Sequence, residues 1–269
     1  MNLIKDIELL NEIIQKYFSK NTFTNNYLLS SAYSQYIADK KLYFVNTASN
    51  AIILVEKADF YRLYYYINNQ NELVTFNIDR PLTMEILYRG EAQRPYEVLS
   101  FWEKCGFRQH LTRDMMTASY RQLILPPENA SNIHIKYAEM EKEIIYSKEL
   151  IETTFDKYTG DVLTSQEVYS FAENKNIICA YLEEKLCGIL QFEIKKNVVW
   201  LGHIAVAPQF RGFGIANALV KSYISMNMKQ PDTRYQLWVI QDNTKATTLY
   251  NKFGFVYGNK TSASMLKDY

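Results

Sequence analysis

Residues 209–214 read Gln209, Phe210, Arg211, Gly212, Phe213, Gly214. They follow an apolar run at 201–206 and open an amphipathic segment at 215–226, so the expected order is strand, tight turn, helix. Such a turn leaves backbone N–H groups unpaired at a helix N-terminus, where the positive end of the helix dipole lies. That arrangement binds phosphate. Glycine suits it because a side chain would hold a phosphate away from the backbone. The spacing is neither the Gly-x-Gly-x-x-Gly of dinucleotide sites nor the Gly-x4-Gly-Lys-Ser/Thr of nucleoside-triphosphate loops. Taken alone, the stretch also fits a surface turn that starts a helix.

The elements around this turn occur twice. Residues 177–183, 187–194 and 198–206 read as three consecutive strands, followed by the turn, a long helix and a strand at 235–240. Residues 41–46, 51–56 and 60–67 read likewise, with a strand at 84–88. Each half then closes on the same pattern: Phe101-Trp-Glu-Lys-Cys-Gly-Phe107 in the first, Leu249-Tyr-Asn-Lys-Phe-Gly-Phe255 in the second. An aromatic-rich helix stopping at glycine, then a strand opening on Phe, is the expected left-handed helix end. This order suggests two copies of one α/β unit. Leu-Pro-Pro-Glu-Asn-Ala-Ser marks the break, giving an expected N-terminal domain at 1–123, a linker at 124–131 and a C-terminal domain at 132–269.

Composition narrows the function. The 269 residues are 48% hydrophobic, enough for a real core and against disorder. Thirty Lys+Arg against 29 Asp+Glu give a net charge of +1, so a nucleic-acid partner has no electrostatic support and none is expected. Cys105, Cys179 and Cys187 show no metal-ligand spacing, and an odd count without a disulfide framework suits a reducing cytoplasm. No metal is expected. Asp6, Glu8 and Glu12 interrupt the N-terminus as a signal peptide, while Leu3, Ile7, Leu10, Ile14 and Tyr17 recur at helical spacing. No apolar run is long enough to span a bilayer, so no membrane association is expected. Many of the 22 tyrosines sit in strand-like runs such as residues 60–67, where aromatic residues favour strands.

Gln-x-x-Gly-x-Gly after a strand, with Val206 and Pro208 before it, resembles the acyl-CoA pyrophosphate loop of the GNAT superfamily of N-acyltransferases. Asn243-Thr-Lys-Ala246-x-x-Leu249-Tyr250-x-x-Phe253-Gly254-Phe255 resembles that family's second motif, and the two together, in order, are far more specific than either. The resemblance runs from about residue 133 to the end, with a strand at 133–137 and helices at 139–155 and 166–173 that would border the acceptor site. It implies an α/β (α+β) fold of two GNAT-like units, each a mixed, mostly antiparallel sheet flanked by helices. The first unit is degenerate: residues 68–77 hold no glycine, and Trp102 stands where the second unit has Tyr250.

The resemblance also implies roles. Backbone N–H groups of residues 211–215, with Ala216, would hold the pyrophosphate of acetyl-CoA or another acyl-CoA. The strand ending Ile204, Ala205, Val206 would part from the strand at 235–240 and pair with the pantetheine amides. Asn243 and Ala246 would sit at the start of the next helix, where Asn243 is equally a good N-cap. Tyr250 would protonate the departing thiolate; a phenol near its ordinary pKa of ~10 is a donor at neutral pH. Alternatively it is a packed core aromatic.

The base is less defined. Trp200 falls near the position where many members carry a carboxylate. His203, on the same strand, titrates in the right range, although strand alternation opposes it to Gly202 and Ile204 and a satisfied structural histidine explains it too. Glu193 is a weaker candidate, and Asp156, Tyr158 and Asp161 are candidate substrate contacts or plain loop residues. The expected reaction is direct attack of an amine, of a small molecule or a peptide, on the thioester. The other readings are an aminoacyl transferase of the tandem type using charged tRNA, which near-neutral charge and an intact loop oppose, and a non-catalytic acyl-CoA-binding module.

Overall fold

The computed structural model describes residues 1–127, 132–228 and 231–269. The chain forms two compact units: residues 1–112 with 260–269, and residues 113–259.

The first half contributes β1 (Asn2–Leu3), α1 (Ile7–Tyr17), β2 (Phe23–Thr24), α2 (Ser34–Ala38), β3 (Leu42–Asn46), β4 (Ala51–Glu56), β5 (Tyr61–Ile67), β6 (Leu82–Tyr88), α3 (Tyr96–Lys104) and β7 (Arg108–Ser119). The second contributes β8 (Ile133–Tyr137), α4 (Glu141–Thr154), α5 (Ser165–Glu173), β9 (Ile177–Leu182), β10 (Lys185–Lys195), β11 (Val198–Val206), α6 (Ile215–Asn227), β12 (Arg234–Ile240), α7 (Thr244–Lys252) and β13 (Val256–Lys267). The helices start where the sequence offers caps. Asp6 accepts from Leu9 N–H at 2.8 Å, and Thr164 and Glu167 form a capping box at α5. The first turn of α4 is held by Glu143, whose carboxylate accepts the N–H of Glu139 and Met140 at 2.9 and 3.0 Å.

Both units follow one plan. In the first, β1–β3–β4–β5–β6 is followed by β13. In the second, β8–β9–β10–β11–β12 is followed by β7. All neighbours are antiparallel except β5 with β6 and β11 with β12, which are parallel. The duplication is the one that the repeated order of elements implies, and the mixed, mostly antiparallel sheet is the one that the resemblance implies.

The last strand of each sheet comes from the other half of the chain. Residues 113–119 of β7 pair along β12, from Ser119 opposite Arg234 to Arg113 opposite Ile240. Residues 261–267 of β13 pair along β6. The compact units therefore differ from a division at 124–131: residues 113–123 pack with the second unit and residues 260–269 with the first. Of that expected linker, residues 128–131 lie outside the described residues.

Alternating side chains split the second sheet's faces between two cores. Leu190, Phe192, Val199, Leu201, Leu237 and Val239 pack under α6 with Tyr223, Tyr250 and Phe253. Cys179, Ile189 and Ala205 pack on the other face with Ile144, Ile151 and Val168 of α4 and α5. In the first unit Trp102, fully buried, fills the core beneath α3 against Tyr65 and Phe107.

Candidate active site

The site begins where β11 leaves β12. The two pair from Val198–Arg234 to Leu201–Leu237 and no further. Beyond that point β11 continues along β10 to Val206 opposite Gly188, and β12 continues along β7. Residues 202–206 and 238–240 thus line a wedge in which facing backbone groups lack each other as partners. Buried amides need partners, so the wedge suits a ligand that carries amides.

A β-bulge at Gly202 shapes one side of the wedge. Phe192 faces Leu201 and Gln191 faces His203, leaving Gly202 as the extra residue. A Cβ there would collide with the Gln191 side chain. The bulge turns His203 to the face of α4 and α5, whereas plain alternation would keep it with Leu201. His203 is buried and packs edge-on against Phe155 at 4.8 Å. Its Nδ1 lies 3.0 Å from Gln191 Oε1 and its Nε2 2.9 Å from the Gly160 carbonyl. Burial pulls the ring's pKa below its ordinary value, outweighing the Gly160 contact and Asp161. Both ring nitrogens face acceptor oxygens, and Gln191 is itself held in place by its Nε2, which donates to the Phe192 carbonyl at 3.2 Å. Both ring nitrogens are engaged, so the geometry makes His203 an anchor of the α4–α5 loop and argues against the free base considered from sequence.

The weaker base candidate Glu193 and the candidate substrate contact Asp156 also have partners of their own. Glu193 is paired with Lys195 at 2.7 Å. Asp156 accepts from Tyr158 N–H, Thr159 N–H and the Thr159 hydroxyl, which makes it a turn-former. Trp200 lies between Val199 and Leu201, which enter the α6 core, so it shows the opposite face, edge to Trp238 at 6.3 Å.

The turn after β11 has the form its sequence predicts. Pro208–Phe210 make a short 3-10 turn, with Phe210 half-buried and packed on both cores. Arg211 is extended and exposed, its Nε 3.3 Å from the Val206 carbonyl. Gly212 and Gly214 have φ of 89° and 81°, and a Cβ on either would meet nothing within 4 Å. They are glycine because the backbone is left-handed there, on a side open to whatever binds. Gly214 is the N-cap of α6 and supplies no side-chain acceptor, so the first N–H groups of α6 are uncapped. Gln209 and Phe213 are exposed, and Ile215 is buried beneath α6.

Next to that helix start runs a groove of about 370 Å³, lined by Ala216, Asn217, Thr244, Lys245, Thr248, Leu249 and Lys252. Sequence reading had Ala216 here but missed Asn217, Lys245, Thr248 and Lys252. The signal was available, since positions 245, 248 and 252 share one face of a helix. Asn243 caps α7, its carboxamide oxygen accepting from Ala246 N–H at 3.1 Å, so both residues are engaged locally. Ile204, Val206 and Ala246 edge the same core as Tyr250, while Ala205 faces the α4 core. Tyr250 is 4% exposed, and burial alone raises its phenol pKa above the ordinary range.

Uncapped donors at a helix start, a groove with two lysines beside them and a splayed parallel strand pair together fit an elongated anionic ligand with amides along its arm. Among the described residues, no group of three His, Cys, Asp or Glu is placed to hold a metal, and no helix is long and apolar enough to cross a membrane. Residues 143–255 match the family model described as Acetyltransferase (GNAT) family. The chain thus carries, within its second unit, a segment similar to the GNAT family, whose members are acyltransferases.

Solved structures extend the likeness over both halves. A GCN5-related N-acetyltransferase from Sphaerobacter thermophilus is 15% identical with a TM-score of 0.60, covering 81% of this chain and 76% of that one. Another from Kribbella flavida is 12% identical with a TM-score of 0.56, covering 88% and 93%. A tandem GNAT protein from the clavulanic acid biosynthesis pathway is 10% identical with a TM-score of 0.53, covering 84% and 81%. At these identities the likeness is one of fold. No curated protein matches the sequence.

Proposed function

We propose that the second unit binds acyl-CoA, acetyl-CoA in the first place, and transfers its acyl group to an amine of a small molecule or peptide. The observation that carries this reading is the end of β11–β12 pairing at Leu201–Leu237, directly before the uncapped Gly212–Gly214 turn. The backbone N–H groups of residues 212–216 would hold the pyrophosphate. Lys245 and Lys252 in the adjoining groove add positive charge. The facing edges at 204–206 and 238–240 would receive the pantetheine amides, placing the thioester deep in the wedge.

The thioester supplies an activated acyl carbon. The neutral amine forms the new C–N bond as the C–S bond breaks; the thiolate takes the Tyr250 proton, and the proton shed by the new amide nitrogen passes through solvent to restore the phenol. The phenol is suited to this because burial keeps it protonated. No covalent enzyme intermediate is needed. Burial raises the thiol pKa of Cys187, and of Cys179 to about 12, so both stay protonated rather than nucleophilic. Holding amine and thioester together supplies most of the acceleration. Calorimetric titration with acetyl-CoA tests the reading, and absence of binding at near-millimolar ligand would sink it.

A further inference from the structure

We infer that the cleft of the first unit is closed from within by residues 23–26, the Asn25 carboxamide standing where a ligand amide would otherwise lie. Strands β5 and β6 repeat the splay of β11 and β12: they pair at Tyr61–Leu82 and Arg62–Thr83 and then part. The α1–α2 connection enters this gap. Phe23 and Thr24 add β2 to β5, opposite Ile67 and Tyr66. Asn25 Nδ2 then donates to the Leu63 carbonyl on β5 and to the Glu85 carbonyl on β6, both at 3.1 Å. Its Oδ1 accepts the Tyr65 N–H at 2.8 Å. One carboxamide thereby serves three backbone groups, on both sides of the gap.

Asn26 locks the segment. Its Nδ2 donates to the Tyr66 hydroxyl at 2.7 Å, and its Oδ1 accepts from the Tyr33 hydroxyl at 2.9 Å and from Leu28 N–H at 3.1 Å. Both asparagines are only 9% exposed. The second unit treats the corresponding connection differently. There the α4–α5 loop is held at Gly160 by His203, on the face of α4 and α5, and the β11–β12 pairing ends at Leu201–Leu237. The first unit also runs from β5 to β6 without a helix, where the second has α6. The phosphate-binding turn and the open wedge are lost together, and the chain's own amide replaces the ligand's. The closure stands on these contacts; its consequence, one acyl-CoA per chain, rests on the function proposed above.

Asn25→Asp tests the closure, because it sets a second acceptor oxygen against two carbonyl oxygens. In the full chain it should lower Tm by about 5 °C or more. It should also speed hydrogen exchange at the Tyr65 amide by about tenfold or more, while acetyl-CoA affinity stays within about twofold. Calorimetry on the wild type should give one acetyl-CoA per chain. Two per chain, or a wild-type Tyr65 amide exchanging as fast as an exposed loop, would overturn the inference, and both measurements stand if the variant fails to fold. Zero binding removes the proposed function instead, and the exchange data still decide the closure.

Discussion

In the proposed reaction Tyr250 is the proton donor, and burial keeps it protonated. Its phenol is raised by desolvation alone, so no neighbouring charge competes for its proton. Tyr250→Phe should therefore lower kcat by about 100-fold or more while acetyl-CoA affinity changes little, as stopped-flow turnover and calorimetry would register. The wild-type rate should show no alkaline loss from this group up to about pH 10. His203 illustrates a different outcome at the same scale: its type suggested a base, but its two contacts make it a fastener. His203→Ala should cost about 1–3 kcal/mol in urea unfolding, because the Gly160 carbonyl loses its donor. Glu143 is a third case. Burial pushes its pKa up, but Lys136 at 2.6 Å, Tyr181 and the N–H groups at the start of α4 outweigh burial and hold it at about 2, below its ordinary 4.5. The folded state therefore binds this proton less readily than the unfolded chain. The stabilisation is complete above pH 4.5 and is lost as pH falls towards 2. Glu143→Gln should flatten that part of the acid-unfolding curve followed by circular dichroism.

Among the elements, the β11–turn–α6 unit carries the proposal. Gly212 is exposed and left-handed, so Gly212→Glu would both strain the turn and set a carboxylate against the phosphate position. It should abolish measurable acetyl-CoA binding, while thermal unfolding shifts only slightly, since a Cβ there meets no neighbour. This unit was legible from residues 201–226 alone, because apolar runs, glycines and helical spacing are local signals. The bulge at Gly202 was not. It depends on the register of β10 against β11, which no single strand encodes. The Asn25 contacts were equally hidden, since their partners lie 38 to 60 residues away.

At the scale of the whole molecule, the chain order does not map onto the compact units. Each sheet takes its final strand from the other half, so the second unit starts at residue 113 and not after the Pro-Pro segment. A fragment of residues 132–269 would lack the strand that pairs with β12 over seven residue pairs. It should express poorly or unfold at lower urea than a fragment of residues 113–259. Comparing soluble yield and unfolding midpoints checks this, and equal behaviour would contradict the strand assignment.

The sequence by itself determined the duplicated order of elements, the glycine turn at a helix start, the motif around Tyr250 and the loss of both features from the first half. These follow from local periodicity, turn chemistry and spacing, which act over a few residues. Only the tertiary structure decided which strand closes each sheet, which face His203 takes and what fills the first cleft. Those outcomes rest on register and on hydrogen bonds between residues distant in sequence, chosen because buried backbone groups must find partners wherever the chain can supply them.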